Sequence, residues 1–351
     1  MDPIRYVKRK ANLGLNVFAE KMRTPWVPAY PSFYHVEPSA YCNFECPACP
    51  GILGNQSDRE LVNGQMKLET FQRVVDQVAD YAELMELFLR GEPFLNNRIY
   101  DMIRYAVDQD IYVKIDTNGS ALRAKAEDVV QSRLNLLVVS LDGVTAESYG
   151  IYRIGGDFEQ VIEGVRKVVE ARRRLKSNRP RISLQFIVMK HNEHELDGVL
   201  DFGRDLGVDE IRIKGAQIYT QDQAEAFLPT EATWQRYVMW SGTEPGYKPQ
   251  DEEKGCRLLW HSVRIACDGS VRPCDRDIHG KHEFGNVMDG RSFWEIWNGE
   301  DAREFRRRHI SENTDAMCKM CVDSKYKTTI INLADLKPKT ELRLWSAPAE
   351  G

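Results

Sequence analysis

Apolar residues between positions 33 and 214 recur in two alternating patterns. Short continuous apolar runs, typical of buried strands, alternate with longer segments in which apolar residues return at helical spacing. The short runs predict six strands, at 33–37, 84–89, 111–116, 134–141, 182–189 and 210–214. The longer segments predict five helices, at 68–80, 98–107, 124–131, 158–174 and 193–206.

This alternation predicts an α/β fold with a parallel sheet. A helix between two strands returns the chain to the same end of the sheet by a right-handed crossover. A doubly wound sheet and a barrel both satisfy the pattern. In either arrangement ligands bind beyond the carboxyl ends of the strands.

Polar clusters follow the first four predicted strands, so we expect them to meet at one rim. They lie at 42–49, 90–93, 117–119 and 140–143. After about residue 220 the alternation stops. Residues 245–255 are rich in charge, glycine and proline, and they predict a linker into a second, loop-rich unit.

The segment ahead of the first strand is predicted to be helical over residues 3–23. Its apolar residues have helical spacing, at Ile4, Val7, Leu15, Phe18 and Met22. We interpret it as a solvated helix that caps the main domain, and the alternative is a membrane-surface or partner-docking helix. The prolines between 25 and 31 then predict an extended connection.

Length and charge restrict the functional class. The 351 residues correspond to about two domains. With 48 basic and 53 acidic side chains the net charge is −5, so no whole-protein basic field attracts nucleic acid. We expect no nucleic-acid partner. No apolar run is long enough for an integral membrane segment or a secretory signal, and we expect a cytoplasmic protein.

The eight cysteines fall into two groups. Cys42, Cys46 and Cys49 lie within eight residues, and a second group follows more than two hundred residues later: Cys256, Cys267, Cys274, Cys318 and Cys321. This density is far below that of a disulfide scaffold, and a cytosol keeps thiols reduced. The grouping predicts two metal sites.

The first group places three thiols in one loop. Zinc sites usually combine paired Cys-x-x-Cys units into four ligands. Three cysteines suit a four-iron cluster, in which they leave one iron open to another ligand. The spacing of Cys42, Cys46 and Cys49 after the first strand resembles that of the radical S-adenosylmethionine (SAM) enzymes. In that family the open iron binds SAM, whose reductive cleavage gives a 5′-deoxyadenosyl radical that removes a hydrogen atom from the substrate.

The resemblance extends over roughly residues 33–214 and implies a partial (β/α)6 TIM-like barrel. Residues 90–93, Arg-Gly-Glu-Pro, resemble the family's Gly-Gly-Glu-Pro segment, although Arg90 replaces the first glycine. The family usually has an aromatic residue before the third cysteine, where this chain has Ala48, so another group must pack the adenine. By resemblance, the residues that bind SAM are Glu92, Asn118, Ser140, Asp142 and Arg153.

The second group contains two pairs of cysteines. Seventeen residues separate Cys256 from Cys274, and an Asp-Gly pair at 268–269 predicts a hairpin that draws them together. Cys318 and Cys321 supply two more thiols. This arrangement resembles the twitch domain, a shortened SPASM extension, and implies one auxiliary [4Fe–4S] cluster on these four cysteines. A four-cysteine zinc site is the alternative.

Cys267 is left without a role in this assignment. It is a bystander, a substitute cluster ligand, or a thiol that returns a hydrogen atom to a substrate radical, as an epimerase requires. Several acid–base candidates cannot be ranked from the sequence: His35, Glu37, His261, Asp275 and His279.

The predicted organisation therefore has five segments. They are an amino-terminal helix and proline-rich connection (1–32), the radical SAM partial barrel (33–220), a helix and linker (221–255), a twitch/SPASM-like domain (256–325) and a carboxyl-terminal tail (326–351).

The reaction is predicted from the resemblance. The twitch spacing is similar to that of the aminocyclitol dehydrogenases of aminoglycoside antibiotic biosynthesis, which implies dehydrogenation or epimerisation of a sugar-like or aminocyclitol small molecule. The alternatives are a maturase of a ribosomally made peptide and a non-catalytic zinc-binding protein. The radical chemistry implies a flavodoxin or ferredoxin as electron donor, and the basic amino-terminal segment is a candidate docking site for it.

Overall fold

The structure is a computed structural model that describes residues 2–53, 64–240, 246–249, 256–277, 279–311, 313–319, 321 and 328–335. Its strands are β1 (Phe33–Val36), β2 (Leu84–Leu87), β3 (Tyr112–Thr117), β4 (Leu136–Ser140), β5 (Arg181–Val188), β6 (Glu210–Gly215), β7 (Tyr237–Trp240), β8 (Gly246–Pro249), β9 (Ser262–Ile265), β10 (Ser270–Arg272), β11 (Gly285–Asn286) and β12 (Thr329–Asn332).

The helices lie mostly between these strands. They are α1 (Pro3–Lys21), α2 (Pro50–Leu53), α3 (Leu68–Val78), α4 (Ile99–Asp108), α5 (Leu122–Gln131), α6 (Ala146–Tyr152), α7 (Phe158–Arg174), α8 (Leu196–Leu206), α9 (Gln221–Phe227), α10 (Leu258–His261), α11 (Phe293–Trp297), α12 (Glu300–Ile310) and α13 (Ala316–Lys319). Short 3-10 turns occupy Pro93–Leu95, Glu193–Glu195, Ala232–Trp234 and Leu333–Asp335.

Strands β1 to β6 pair in sequence order, and every pair is parallel. This confirms the six predicted strands and the α/β class. The order corresponds to the open, partial barrel of radical SAM structures rather than to a doubly wound sheet, because the strand order never reverses. All five residues of β4 are buried, as expected for a strand covered on both faces.

The crossover helices pack their apolar faces against the sheet. In α7 the buried residues include Val161, Val165 and Val168, which are spaced by three or four positions. Asp157 caps this helix by accepting a hydrogen bond from the Gln160 N–H at 3.0 Å. The helix begins and ends at the predicted residues because cap and periodicity agree.

The second unit continues the same sheet. Strand β9 pairs in parallel with β1, β10 pairs antiparallel with β9, and β11 follows. The predicted hairpin is present, with Gly269 at φ +88°, a left-handed conformation that favours glycine. The predicted second segment is therefore built onto the barrel's first strand.

The far edge of the sheet is closed by β12, which pairs antiparallel with β6. Residues 329–332 were predicted to be part of a tail, and the structure places them in the sheet. Most of the remaining predicted tail lies outside the described residues. So does most of the predicted linker at 245–255, apart from β8, which pairs with β7.

Helix α1 packs on the loops that precede β2 and β3, at the amino-terminal end of the barrel. Arg5 and Lys8 pair with Asp80, and Lys10 pairs with Glu83 at 2.8 Å. The helix therefore caps the domain as predicted. It lies at the end opposite the cysteine loop, which argues against docking of an electron donor there.

Candidate functional site

A cavity of about 430 Å³ opens at the carboxyl ends of the parallel strands. It is lined by side chains from the loop after β1 and from the ends of all the other barrel strands. The lining includes seven residues that the sequence predicts as cluster or SAM ligands: Cys42, Cys46, Cys49, Glu92, Asn118, Ser140 and Arg153. The expected convergence on one rim is thus present.

The three cysteines of the loop are held close together. The backbone N–H of Phe44 donates to the Cys42 sulfur at 3.5 Å, and the Asn118 amide donates to the same sulfur at 3.7 Å. The Arg153 guanidinium donates to the Cys46 sulfur at 3.6 Å. Hydrogen bonds to sulfur stabilise a thiolate and tune an iron–sulfur centre.

Gly91 allows the end of β2 to approach the cysteine loop. A Cβ atom at this position would lie 2.1 Å from the Ser39 carbonyl oxygen and 2.6 Å from that of Tyr41, so only glycine fits. The next residue, Glu92, donates its backbone N–H to the Tyr41 carbonyl at 2.9 Å. The Gly-Glu pair of the motif therefore allows the end of β2 to pack directly against the cysteine loop.

The carboxylate of Glu92 is buried at the rim. It accepts hydrogen bonds from the Thr117 hydroxyl at 2.7 Å and from the backbone N–H groups of Asn118 at 2.7 Å and Phe94 at 3.1 Å. Burial raises the pKa of this carboxyl above its ordinary value, although these hydrogen bonds oppose the shift. The orientation of the carboxylate is fixed before any ligand binds.

Arg153 and Asp142 form a buried ion pair beside the cluster loop. Asp142 has no exposed surface, does not line the cavity, and accepts from the Ile187 N–H at 2.7 Å. Arg153 lines the cavity. The predicted contact of Asp142 with SAM is therefore indirect in this geometry, since the carboxylate orients Arg153. Ser140 lines the cavity and accepts from the Gln185 amide at 3.2 Å.

The donors at this site fit an iron–sulfur cluster. Burial, and then the neighbouring Cys46, raise the pKa of Cys49 to about 11. Thiolate sulfur is the ligand that four-iron clusters use. Among the described residues, no three His, Cys, Asp or Glu side chains converge on a point that would hold a single metal ion. The fit rests on three thiols that face one cavity and receive N–H donors.

A row of charged side chains forms the floor of the cavity. In the strand register Arg264 of β9 lies beside His35 of β1, His35 beside Glu86 of β2, and Glu86 beside Lys114 of β3. The His35 imidazole and the Lys114 ammonium each contact Glu86 at 2.8 Å. Lys114 also lies 3.2 Å from Asp116. This polar row is a feature that sequence reasoning missed.

Protonation in this row is shifted by burial. Burial, and then the charge of Arg264, lower the pKa of His35 to about 4, so the imidazole is neutral near pH 7. Burial raises the pKa of Asp116. The signal that could have found the row was the charge at alternate positions of otherwise apolar strands, such as Lys114 and Asp116 in β3.

Lys214 projects from β6 into the same cavity. Its ammonium makes no hydrogen bond or ion pair with any of the residues that the structure describes. Burial is the largest cause that lowers the pKa of Lys214, and the nearby cations Lys114 and Arg236 lower it further. The Asp116 carboxylate opposes this shift. The site therefore holds an amine that the described residues leave without a partner and that a ligand could engage.

The second cysteine group is also brought together. Burial, then Cys274, Cys256 and Cys321, raise the pKa of Cys318 to about 12. The charges that act on Cys318 thus include those of the other three predicted auxiliary ligands, which places these thiols near it. Asp275, next to Cys274, lines the barrel cavity and pairs with Arg264, so the charged row reaches the second site.

Cys267 stands apart from both groups. It is buried, it does not line the cavity, and its backbone N–H donates to Glu37 at 3.4 Å. Burial raises the pKa of its thiol to about 12, with Glu37 and Asp268 adding to the effect and no other cysteine among the causes. This position favours the bystander interpretation.

The remaining acid–base candidates separate by location. Glu37 is fully buried and bound by Arg90, with Nε to Oε1 at 2.9 Å and Nη2 to Oε2 at 3.1 Å. Arg90, the departure from the family motif, thus has a structural partner. His261 contacts Glu20 of α1 at 2.7 Å, away from the cavity, and His279 is exposed. Only His35 and Asp275 of this set line the cavity.

Two domain families match the chain. Residues 36–203 match the Radical SAM superfamily, and residues 256–322 match SPASM, an iron–sulfur cluster-binding domain. The first domain implies a [4Fe–4S] cluster and SAM, and the second implies auxiliary iron–sulfur chemistry. These matches favour iron–sulfur over zinc at both cysteine groups.

Known relatives align along most of the chain. A tungsten-containing aldehyde ferredoxin oxidoreductase cofactor-modifying protein of Pyrococcus furiosus is 25% identical over 90% of this chain and 95% of its own length. A PqqA peptide cyclase of Granulibacter bethesdensis is 26% identical over 80% and 76%. The structure of Streptococcus suis SuiB bound to the precursor peptide SuiA superposes with a TM-score of 0.59 at 17% identity, covering 89% and 75% of the two chains, which shows a shared fold.

Proposed function

Since a radical SAM domain is followed here by a SPASM domain, we propose that the chain is an enzyme that cleaves SAM reductively to modify a ribosomally made peptide. The observation that carries the chemistry is the cavity in which three thiols meet Glu92 and Arg153. The peptide substrate is supported by the likeness to a PqqA peptide cyclase along four-fifths of the chain.

The residues of this chain prepare the site for the cofactor. Cys42, Cys46 and Cys49 would hold a four-iron cluster, and such a cluster would supply the one-electron reduction on which radical chemistry with SAM depends. Glu92, fixed by three hydrogen bonds, would accept from the amino group of SAM. Arg153, oriented by Asp142, would present a cation to the SAM carboxylate.

A second candidate substrate is a small polar molecule of the sugar or aminocyclitol class. The observation that favours it is the polar floor, where the neutral His35 faces the cavity together with Glu86, Lys114 and Asp116. Such a floor suits hydroxyl or amino groups, because each buried charge is already paired and can exchange hydrogen bonds with them. A cluster held by the second cysteine group would lie next to this row through Asp275, and it would be able to accept an electron from a substrate radical.

The cofactor content is tested by iron and sulfide analysis after anaerobic reconstitution. We expect about eight irons per chain, falling to about four when Cys42, Cys46 and Cys49 are all changed to alanine. A fall from about four irons to none would leave the second cysteine group without a cluster and would remove its role as electron acceptor.

The substrate is tested by turnover. Reduced enzyme and SAM are incubated anaerobically with a panel of short peptides encoded beside its gene and, separately, with aminocyclitols and polyols. We expect 5′-deoxyadenosine to rise above the substrate-free rate with a peptide, accompanied by a mass change in that peptide. A rise confined to the aminocyclitols and polyols would replace the first proposal with the second.

A further inference from the structure

Basic side chains are concentrated on one wall of the cavity. The described lining residues between positions 212 and 236 form this wall, which we call the β6 wall: Arg212, Lys214, Gly215, Gln217, Tyr219 and Arg236. Three of these six residues are basic, and none of the six is acidic. The floor of the cavity is different, because there Lys114 contacts Glu86 at 2.8 Å and Asp116 at 3.2 Å. Carboxylates thus balance the lysine of the floor, whereas the β6 wall contributes basic groups alone.

Gly215 allows Arg236 to pack against the end of β6. A Cβ atom at position 215 would lie 2.0 Å from the Trp234 carbonyl oxygen and 3.1 Å from Cγ of Arg236, so only glycine permits this approach. Arg236 is 7% exposed. After burial, the charges of Lys114 and Arg236 are the causes that lower the pKa of Lys214. The fold therefore holds Lys214 and Arg236 near each other on one side of the cavity.

Two basic residues of β6 differ in their partners. Arg212 pairs with Glu210, whose carboxylate lies 2.7 Å from its Nη2 atom. Lys214 is half-buried and makes no hydrogen bond or ion pair with any residue that the structure describes. The Asp116 carboxylate opposes the effect of burial on the pKa of Lys214, but it is in contact with Lys114 instead. Lysines removed from water are usually paired, so the Lys214 amine requires a partner that the described protein does not supply.

A carboxylate is the ligand group that best completes this arrangement. Burial removes water from the Lys214 ammonium, and the neighbouring cations repel it. A carboxylate oxygen accepts a hydrogen bond from the amine and offsets both effects. It carries one negative charge, which matches one amine, whereas a phosphate group carries roughly −1.5 to −2 at pH 7. The β6 wall therefore suits a carboxylate better than a phosphate.

We propose that Lys214 is a specificity-determining residue that binds a carboxylate of the substrate, an assignment that rests on the proposed function. A peptide supplies this group on an aspartate or glutamate side chain or at its carboxyl terminus. The residues predicted to bind SAM lie on segments between β1 and β5, whereas Lys214 lies on β6. The SAM carboxylate and the substrate carboxylate thus have different basic partners, Arg153 and Lys214.

The test uses small probes, which require no identified peptide. Reconstituted enzyme with SAM is mixed anaerobically with N-acetylglutamic acid amide, and binding is followed by saturation-transfer NMR. We expect this probe to bind, and Lys214→Met to weaken its binding about tenfold, because a charge-assisted hydrogen bond is lost. Lys214→Arg keeps a cation and should retain most of the binding. N-acetylglycine carries a main-chain carboxylate, and whichever of the two probes binds more tightly identifies the source of the group.

The matched control is Lys190→Met. Lys190 is exposed, follows β5 at the same end of the barrel and does not line the cavity, so this variant loses an equal charge and should bind the probe like the native enzyme. N-acetylglutamine amide has no carboxylate and should not bind. Equal binding of the glutamate probe by the native enzyme and by Lys214→Met would overturn the proposal, as would absence of binding by both carboxylate probes. Weaker SAM binding in Lys214→Met with unchanged probe binding would assign the amine to the cofactor and would also overturn it.

The carboxylate site and the peptide function fail separately. If a peptide is modified and its KM is the same for the native enzyme and for Lys214→Met, the carboxylate site is wrong and the peptide function stands. If no peptide is modified but the glutamate probe binds in a way that depends on Lys214, the peptide function is wrong and the carboxylate site stands.

Discussion

The two cysteine groups differ in how the chain assembles them. Cys42, Cys46 and Cys49 lie in one loop, so their spacing alone brings them together, and distant residues such as Asn118 and Arg153 add only donors to sulfur. The second group joins Cys256 and Cys274 to Cys318 and Cys321 across a span of 65 positions.

This difference teaches where each site is vulnerable. The first depends on a short loop whose approach to β2 requires Gly91. The second depends on β9 adding to the edge of β1 and on the packing of the segment around α13. We expect changes at the sheet edge to affect the second group alone. The following predictions would sharpen or break this comparison, from the largest effect to the smallest.

The largest expected effect separates the two groups by mutation. In Cys318→Ala/Cys321→Ala we expect iron to fall from about eight to about four per chain while cleavage of SAM to 5′-deoxyadenosine persists. The alanine triple variant of the first loop should lose all SAM cleavage. Both are measured by iron analysis and by chromatography of the nucleoside. If the pair variant also lost SAM cleavage, the two groups would be one functional unit.

The next effect concerns the buried ion pair beside the first loop. Arg153→Met leaves the Asp142 carboxylate buried without its partner, and we expect a loss of about 3–5 kcal/mol in the free energy of unfolding. The matched control is Arg123→Met, which breaks the exposed pair with Glu163 at 3.2 Å and should cost at most about 1 kcal/mol. Denaturant titration measures the free energy of unfolding of both variants. Equal losses would show that the buried pair stabilises the protein no more than an exposed pair.

The third effect has opposite signs for stability and for binding. Lys214 is a half-buried lysine without a hydrogen-bond or ion-pair partner in the described part of the chain, and burial lowers its pKa, so Lys214→Met should raise the free energy of unfolding by about 1 kcal/mol. If the substrate found by the turnover panels carries an anionic group, the same change should raise its KM about tenfold, because that group loses its counter-charge. A fall in stability would mean that the ammonium is satisfied in the folded chain.

The smallest effect is expected at Cys267. In the reconstituted enzyme it is the one cysteine that we assign to neither cluster, and Cys267→Ser should leave the iron content unchanged. Iodoacetamide reacts with the thiolate form of a cysteine, and burial raises the pKa of the Cys267 thiol to about 12. The labelling rate should therefore be low at pH 7 and rise about tenfold per pH unit, without a plateau below pH 10. Loss of iron in the serine variant would identify Cys267 as a ligand.

Much of the fold was predictable from local pattern. The six parallel strands, the helix over 158–174 and the hairpin at Gly269 all arise from periodicity, caps and turn chemistry that act within a few residues. The first cysteine loop was predictable for the same reason, because its ligands are neighbours in sequence. The Gly91–Glu92 pair was predictable through its resemblance to a known motif.

Other features depended on pairing between distant segments. That β9 would join β1, and that residues 329–332 would close the sheet at β6, cannot be read from either segment, because edge pairing is decided by which strand is available. The charged row from Arg264 to Asp116 exists only in that register. The indirect role of Asp142, buried behind Arg153, likewise required the positions of both side chains.

The sequence by itself determined the strands, the helices and the three-thiol loop, since each is encoded by spacing within a short segment. Only the tertiary structure decided which face of each element is buried. Helix α1 illustrates the reason, because its apolar spacing predicted a helix but not which side is buried. Polar contacts from Arg9, Asn12 and Asn16 hold it, and apolar side chains such as Ile4 and Phe18 face outward. The direction of an amphipathic helix is set by the free energy of all its contacts, which local periodicity does not contain.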